Sequence, residues 1–493
     1  MANPTLQIGN NNWAIKEDNL LGYSTIGTNF LPQPITMTRA SAGTRVNYGG
    51  FIETVELVGS ELVVNGDFAT DSNWIKGTGW TISNGSANGL NATGDLYQEN
   101  VVESGKYYEV TYTISNYDSG SVRVELPNNS AAGIERSANG TYTEIILSVG
   151  TLVLFDGRTS FTGSIGNVSV KESTRNNLAR INYDNTVSSL LVEPQRTNLL
   201  PYSEDFENSD WSKVKAGTGL LPVVSSNSTI SPDGTKNASQ IVFDAGTGTT
   251  SGDSSQILDA ITFTNNTVGT ASIYLKGENG GEKLVFRGVA FSTYTIVTLT
   301  TEWQRFSTTE NSGTNSDAIS FGIRQNVSGL GIINSSATVY AWGAQLEVGS
   351  YATSYIPTSG STVTRVADQY TKTGISNLIN STEGVLFVEG SILSDDGTTQ
   401  IISLFESASS RVSLTFSSTL NRIQFYVAIN GYTNTVTINA EGFTKTQVNK
   451  IALRYGANNY ALFINGVKEG ENTAQGNTFT VGSLTELTLT LSN

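Results

Sequence analysis

At 493 residues without a cysteine or a histidine, the chain excludes disulfide staples, thiolate or imidazole metal sites, and every nucleophilic scheme built on histidine. Its net charge of −15 repels nucleic acid over most of the surface, and its 28 basic residues are scattered singly rather than in runs. Only 14% of residues are charged, and 50 glycines stand against 9 prolines in a Thr-, Ser- and Asn-rich text, the composition of short strands joined by tight turns.

A prior of about 150 residues per domain gives about three domains. No long stretch shows helical periodicity, so the chain reads as all-β. No apolar run is long enough to span a bilayer. Met1–Leu6 lacks a basic segment followed by an apolar core, so no signal peptide is expected.

In chain order, residues 1–58 are irregular until Ile35–Arg39 and Thr44–Tyr48, which alternate around a Gly49-Gly50 turn and predict two short strands. Residues 59–173 form a first long module. Tyr107–Ile114, Ser121–Leu126, Thr141–Leu147 and Gly163–Val170 alternate apolar and polar, as the strands of a sandwich or jelly roll do. Residues 174–200 return to short polar text. Residues 201–350 repeat the module, with Thr270–Lys276, Glu302–Phe306 and Val339–Val348 in the places of the earlier strands. Residues 351–374, with Pro357 and a Thr/Ser/Gly run, read as a linker. Residues 375–493 have another rhythm: Val385–Ile392, Arg411–Phe416, Arg422–Ile429, Asn449–Tyr455 and Tyr460–Ile464 are strands, and Asn465-Gly466 signals a type I′ hairpin turn.

The repeat is explicit. Asn65-Gly66-Asp67-Phe68 leads to Asn73-Trp74 and Gly77-Thr78-Gly79-Trp80, and Ser203-Glu204-Asp205-Phe206 leads to Asp210-Trp211 and Gly217-Thr218-Gly219-Leu220. The spacing is a whole domain, far longer than a solenoid unit.

These motifs carry three resemblances. The two modules resemble jelly-roll carbohydrate-binding domains related to families 4 and 9, which open with an element like Asn65–Phe68. The last third resembles concanavalin/laminin-G-type domains, through Lys450–Tyr455 and Ala461–Gly466. The connecting text, Thr38–Asn47 with Gly50–Glu53 and then Glu193–Phe206, is similar to tail and head fibre proteins of tailed bacteriophages. In those proteins the two halves usually sit close together, whereas here the first module separates them. Residues 1–58 plus 174–200 are therefore expected to form one split virion-attachment framework with a jelly roll inserted, which costs little at an exposed loop. Laminin-G-like domains usually finish with one strand more than the text ending at Leu484–Leu491. Either another chain supplies that strand here, or an open edge results.

The resemblances imply a non-enzymatic bacteriophage fibre or appendage protein in the virion. Residues 1–58 with 174–200 would attach it to other virion proteins, and its modules would contact host-surface glycans. Fibres of this kind are often trimers, so a homotrimer is expected. The alternatives are a structural decoration or cement protein that binds no sugar and a polysaccharide-degrading enzyme. The enzyme would need two carboxylates about 5–10 Å apart, and nothing in the sequence singles out such a pair. Trp74, Trp80, Trp211 and Trp303 are the candidates for stacking on sugars, their other reading being sandwich core. Trp342 reads as core and Trp13 as a docking anchor. Jelly rolls of this type often hold structural calcium, and Asp67 and Asp71 in one copy, and Asp205 and Glu207 in the other, sit where first-strand ligands would. The last-strand carboxylate is missing, its place taken by Asn167 in one copy and by Gly343 or Ala344 in the other.

Overall fold

The computed structural model describes residues 6–9, 15–16, 19–24, 31–127, 132–250, 252–261, 266–289, 294–312, 317–326, 335–397 and 399–492; the docking role expected of Trp13 lies outside them. The fold is all-β, and among the described residues no helix is long and apolar enough to cross a membrane. Most non-glycine residues at positive φ are asparagines in turns, including Asn84, Asn185, Asn430 and Asn465. Asparagine tolerates the left-handed region, which accounts for the Asn-rich text. The chain divides into two compact units, Glu56–Arg175 and the remainder, Met1–Val55 with Asn176–Asn493.

Within Glu56–Arg175, two long strands, Tyr107–Glu125 and Val153–Thr174, run antiparallel. The alternation read in the sequence places Tyr108, Val110, Tyr112 and Ile114 inside. Register slips between Ser115 and Ser121, where Asn116, Gly120, Thr159 and Ser160 all take positive φ. A Cβ on Gly120 would meet the Ser160 carbonyl oxygen at 2.6 Å, so only glycine fits this corner. Beyond the bend the strands change partners. One end pairs with Gly140–Leu147 and Ser86–Ala92, the other with Asp95–Gln98. Phe68, Trp74, Trp80, Phe155 and Phe161 fill the core. The unit's two ends are clamped together by Arg175 and Glu56 at 3.0 Å.

In the second unit, residues 212–348 form a sandwich of two five-stranded sheets. One orders Leu220–Thr229, Ala238–Asp244, Ser336–Val348, Val268–Gly277 and Gln304–Asn311; the other orders Ser212–Ala216, Ser254–Ile261, Asp317–Arg324, Lys283–Arg287 and Thr295–Thr298. Ile241, Phe243, Ile273, Phe286 and Phe321 lie in the core between them.

A second sandwich has a four-stranded sheet of Glu383–Gly390, Asn449–Gly456, Tyr460–Ile464 and Val467–Asn472. Asn465 and Gly466 both take positive φ between the last two strands, which makes the type I′ turn read from the sequence. The other sheet has ten strands, and three expectations change there. Glu486–Ser492 is not an open edge: it lies between Thr399–Ser407 and Gln369–Thr373. Gln369–Thr373 in turn pairs with Leu31–Thr38, so the flanking strand comes from this same chain and the sheet continues into the N-terminal strands. The stretch 351–374 is accordingly no free linker. Tyr355, Ile356, Arg365 and Asp368 in it are buried, and Val363–Arg365 pairs with Arg196–Asn198. A turn-rich composition hid these contacts because their partners, in Leu31–Thr38, Arg196–Asn198 and Glu486–Ser492, lie far away in sequence. Of the segments 1–58 and 174–200, residues 56–58 and 174–175 belong to the inserted unit, while Ile35, Met37, Ala179 and Ile181 pack with Tyr370 in the unit that holds the C-terminal strands.

Candidate functional site

The repeated Asp-Phe…Trp element proves to be a core staple. In the first copy, Phe68 and Trp74 pack at 5.1 Å between ring centroids, and the Trp74 indole donates to the Asn65 carbonyl at 3.1 Å. In the second copy, Phe206 and Trp211 pack at 4.9 Å, and the Trp211 indole donates to the Tyr202 carbonyl at 2.7 Å. Phe155 and Phe321 close the two clusters, each 6.2 Å from its tryptophan. Trp80 is likewise buried against Phe161 and donates to the Gly94 carbonyl. Trp74, Trp80 and Trp211 therefore offer no open ring face, and the sugar-stacking role expected of them is corrected to core packing. Trp303 is half-buried. Its indole donates to the Ile230 carbonyl at 2.9 Å, and the Lys276 ammonium lies 5.2 Å from its ring. Trp342 is buried between Tyr274 and Tyr355.

The expected calcium ligands serve their own turns. Asp205 Oδ1 accepts from the amides of Glu207 and Asn208, Asp67 Oδ1 accepts from the Ala69 amide, and Asp71 pairs with Lys76. Glu207 Oε1 accepts from the Ser226 amide at 3.4 Å, and its carbonyl accepts from the Lys213 ammonium at 2.9 Å. Among the described residues no three acidic side chains converge as a metal site would require.

The connecting text has a clear structural task. Arg39, Arg180, Arg365, Glu193 and Asp368 form a buried ionic junction, none of them more than 1% exposed. Asp368 accepts from Arg39 at 2.9 Å and from Arg180, while Glu193 accepts from Arg180 at 2.7 Å and Arg365 at 3.0 Å. Ser354 adds its amide and hydroxyl to the Glu193 carboxylate. Burial by itself pushes a carboxyl up, but the charges of Arg365 and Arg180 outweigh it and hold Glu193 at about 2. Asn198 accepts from the Leu346 amide and donates to the Ile356 carbonyl, which locks the adjoining segment. This cluster is a lock between segments distant in sequence; nothing at its centre is open to a ligand.

The outer face of the sheet containing Ser254–Ile261, Asp317–Arg324 and Lys283–Arg287 is different. Strand alternation points Phe286, Phe321 and Ile257 into the core, and it points Arg287, Ser320, Arg324, Ser254 and Gln256 away from it. These outward positions should be solvated, yet Ser320 is fully buried, Arg287 is 4% exposed and Gln256 7%. Tyr294 lies across the face. Its hydroxyl accepts from Arg287 at 3.3 Å and from Arg324, and the two guanidinium carbons stand 5.2 and 5.3 Å from its ring centroid. Burial pulls the Arg287 guanidinium below its ordinary value; Tyr294 and Glu310 oppose this, and the Arg324 charge adds to it.

Gly322 sits at the middle, opposite both Gln256 and Val285. Its φ of +147° and the 2.4 Å that would separate a Cβ from the Ser255 carbonyl oxygen exclude any side chain there. Beside this close contact, Gln256 Nε2 and Ser320 Oγ are buried without a hydrogen-bond partner. An orphaned buried donor costs about 1–3 kcal/mol, so the arrangement suits a ligand that supplies acceptors and hydroxyls.

No family model matches this sequence, and no curated protein does. Among solved structures, one described as CBM4 structure and function aligns over 31% of this chain and 100% of its own, at 16% identity and a TM-score of 0.21. The N-terminal tandem of two CBM22 domains from a Paenibacillus barcinonensis protein aligns over 59% of this chain and 98% of its own, at 11% identity and a TM-score of 0.22.

Sequence reasoning missed Tyr294, Arg287, Arg324, Gln256 and Ser320. A signal was present, since Ser320, Gly322 and Arg324 alternate with Ile319, Phe321 and Ile323. That pattern reads as an ordinary solvated face, and only the tertiary fold shows it buried.

Proposed function

We propose that this chain is a non-enzymatic bacteriophage virion appendage protein, either fibre or fibre-like, whose sandwich of residues 212–348 contacts glycans of the host surface. The observation that carries the glycan contact is the buried polar face around Gly322, with Tyr294 over it and two unpartnered donors, Gln256 Nε2 and Ser320 Oγ. Sugars offer hydroxyls for such donors and an apolar ring face for tyrosine. The virion setting, the virion-protein partners and a homotrimer are supported by the resemblance of the connecting text to phage fibre proteins.

The glycan arm is tested by titrating the intact chain with a panel of bacterial surface oligosaccharides. Tyr294→Ala and Gln256→Ala should abolish binding while leaving the melting temperature of the first module unchanged. Failure of every oligosaccharide to bind, or equal binding by the variants, overturns it. Labelling of intact particles with an antibody to the chain tests the virion setting, and light scattering that returns a clean monomer counts against the fibre. Shortened products after incubation with capsule or lipopolysaccharide would overturn the non-enzymatic reading. The second reading, a decoration or cement protein that binds no sugar, is favoured by one observation: Trp74, Trp80 and Trp211 are all core. A blank glycan panel with a particle-bound chain would select it.

A further inference from the structure

We infer that Glu383–Gly390 pairs antiparallel with the same strand of a second copy of this chain, about a two-fold axis at Phe387. This strand ends the four-stranded sheet of the C-terminal sandwich, and among the described residues only Asn449–Gly456 pairs with it. The Asn465 amide donates to the Lys450 carbonyl at 2.8 Å, so the peptide groups of Lys450, Ala452 and Arg454 face Tyr460–Ile464. Those of Ile451, Leu453 and Tyr455 therefore face the edge strand, where they meet Val388, Leu386 and Gly384. The peptide groups of Val385, Phe387 and Glu389 are left pointing out of the open side.

The side chains make that side adhesive. Val385 is 61% and Phe387 57% exposed, and the inward Leu386 and Val388 are only half-buried. Two other edges of this sandwich are guarded, as the edges of a monomer usually are. The far edge of the same sheet, Val467–Asn472, carries Lys468, Glu469 and Glu471, and Asn434–Glu441 at the edge of the other sheet exposes Thr435, Thr437, Asn439 and Glu441.

Charge complementarity favours a second copy and fixes the register. Two registers overlap the strands most fully. Centring the axis on Leu386 sets Glu383 against Glu389 of the second copy, like charges directly opposed. Centring it on Phe387 sets Phe387 against its own copy and Val385 against Glu389, with about six new ladder hydrogen bonds. On the outer face the row Phe387, Ala452, Phe463 then meets its own image. Each Glu389 also enters the row of Val385 and Arg454 of the other copy. The Arg454 guanidinium lies 5.5 Å from the Phe463 ring, and its Nε is buried without a hydrogen-bond partner, so it suits an incoming carboxylate. The inference goes beyond the proposed trimer: a two-fold contact cannot close a ring of three, so it joins one assembly to the next.

The chain has no cysteine, so single cysteines placed in the intact protein read the register directly. A disulfide needs Cα atoms within about 7 Å. Phe387→Cys faces its own copy at about 5.5 Å. With oxidised glutathione it should cross-link to a dimer at least about tenfold faster than Val385→Cys or Glu389→Cys alone. Mixing the Val385→Cys and Glu389→Cys proteins should restore cross-linking, because these two positions oppose each other. Phe387→Lys, at an exposed position, should halve the native mass measured by light scattering. Equal cross-linking of the three single variants, no cross-linked dimer at all, or a mass unmoved by Phe387→Lys overturns the pairing. The dimer is read on a denaturing gel, so the result stands apart from whether glycans bind or trimers form.

Discussion

Removing Asp368 should unhinge the larger unit. Asp368 accepts from Arg39 at 2.9 Å, from Arg180, and from the Glu193 amide at 2.9 Å, all with negligible exposure. In Asp368→Ala, the Arg39 guanidinium keeps its bond to the Ser41 carbonyl, and Arg180 keeps Glu193, Thr44 and Ser354. Three guanidiniums then face Glu193 in a dry interior. Breaking a buried pair in this way costs about 3–5 kcal/mol, whereas a solvated pair is worth about 0.2–1 kcal/mol. Against a domain stability of about 5–15 kcal/mol, the loss is large. Equilibrium urea denaturation gives the magnitude. Hydrogen exchange read by mass spectrometry gives the location: protection should fall in Arg180–Asp184 and Gln369–Thr373 and stay unchanged in Tyr107–Glu125 of the other unit. A cost under about 1 kcal/mol, or an equal loss of protection in both units, would refute the assignment of the junction as the lock.

The same junction predicts acid sensitivity. Glu193 is held at about 2 against an ordinary 4.5, so its stabilisation is complete above about 4.5 and drains away as pH falls toward 2. Urea midpoints of the wild type should fall through that window more steeply than those of Glu193→Gln, and parallel curves would contradict this. Asp259 has the opposite sign. Burial, with Asp210 adding to it, raises its carboxyl to about 6, so it costs stability as pH rises from 3.8 through 6. Asp259→Asn should therefore melt higher than wild type at about pH 8 and show no gain at about pH 3.5. Trp211→Ala should cost about 3–5 kcal/mol as a core truncation, and half-buried Trp303→Ala distinctly less; equal losses by calorimetry would contradict the burial argument. Gly322→Ala should lower stability by more than about 1 kcal/mol, through its positive φ and the Ser255 contact, and an unchanged melting temperature would count against it.

Strand placement was legible because it rests on local chemistry. Period-2 alternation marked Tyr107–Ile114, Arg422–Ile429 and Asn449–Tyr455, and Asn465-Gly466 marked its own turn. The tryptophan roles were half legible: the sequence offered core and sugar platform for Trp74, Trp80 and Trp211, and nothing local separates an indole packed on Phe155 or Phe321 from one open to solvent. The stretch 351–374 misled because its contacts are long-range. Arg365 and Asp368 look like loop charges until they meet Glu193, Arg39 and Arg180.

By itself the sequence determined that this is an all-β chain of repeated modules without histidine or cysteine chemistry, since composition and alternation act residue by residue. It also determined that the Asp-Phe…Trp element is duplicated. What only the tertiary structure decided is where non-local partners meet. It decided that Gln369–Thr373 closes the side of Glu486–Ser492 expected to be open. It decided that five charges scattered from position 39 to position 368 bury one another. And it decided that an outward strand face around Gly322, solvated by pattern, is instead buried. Burial of a sheet's second face depends on what the rest of the chain lays over it, and no local periodicity records that.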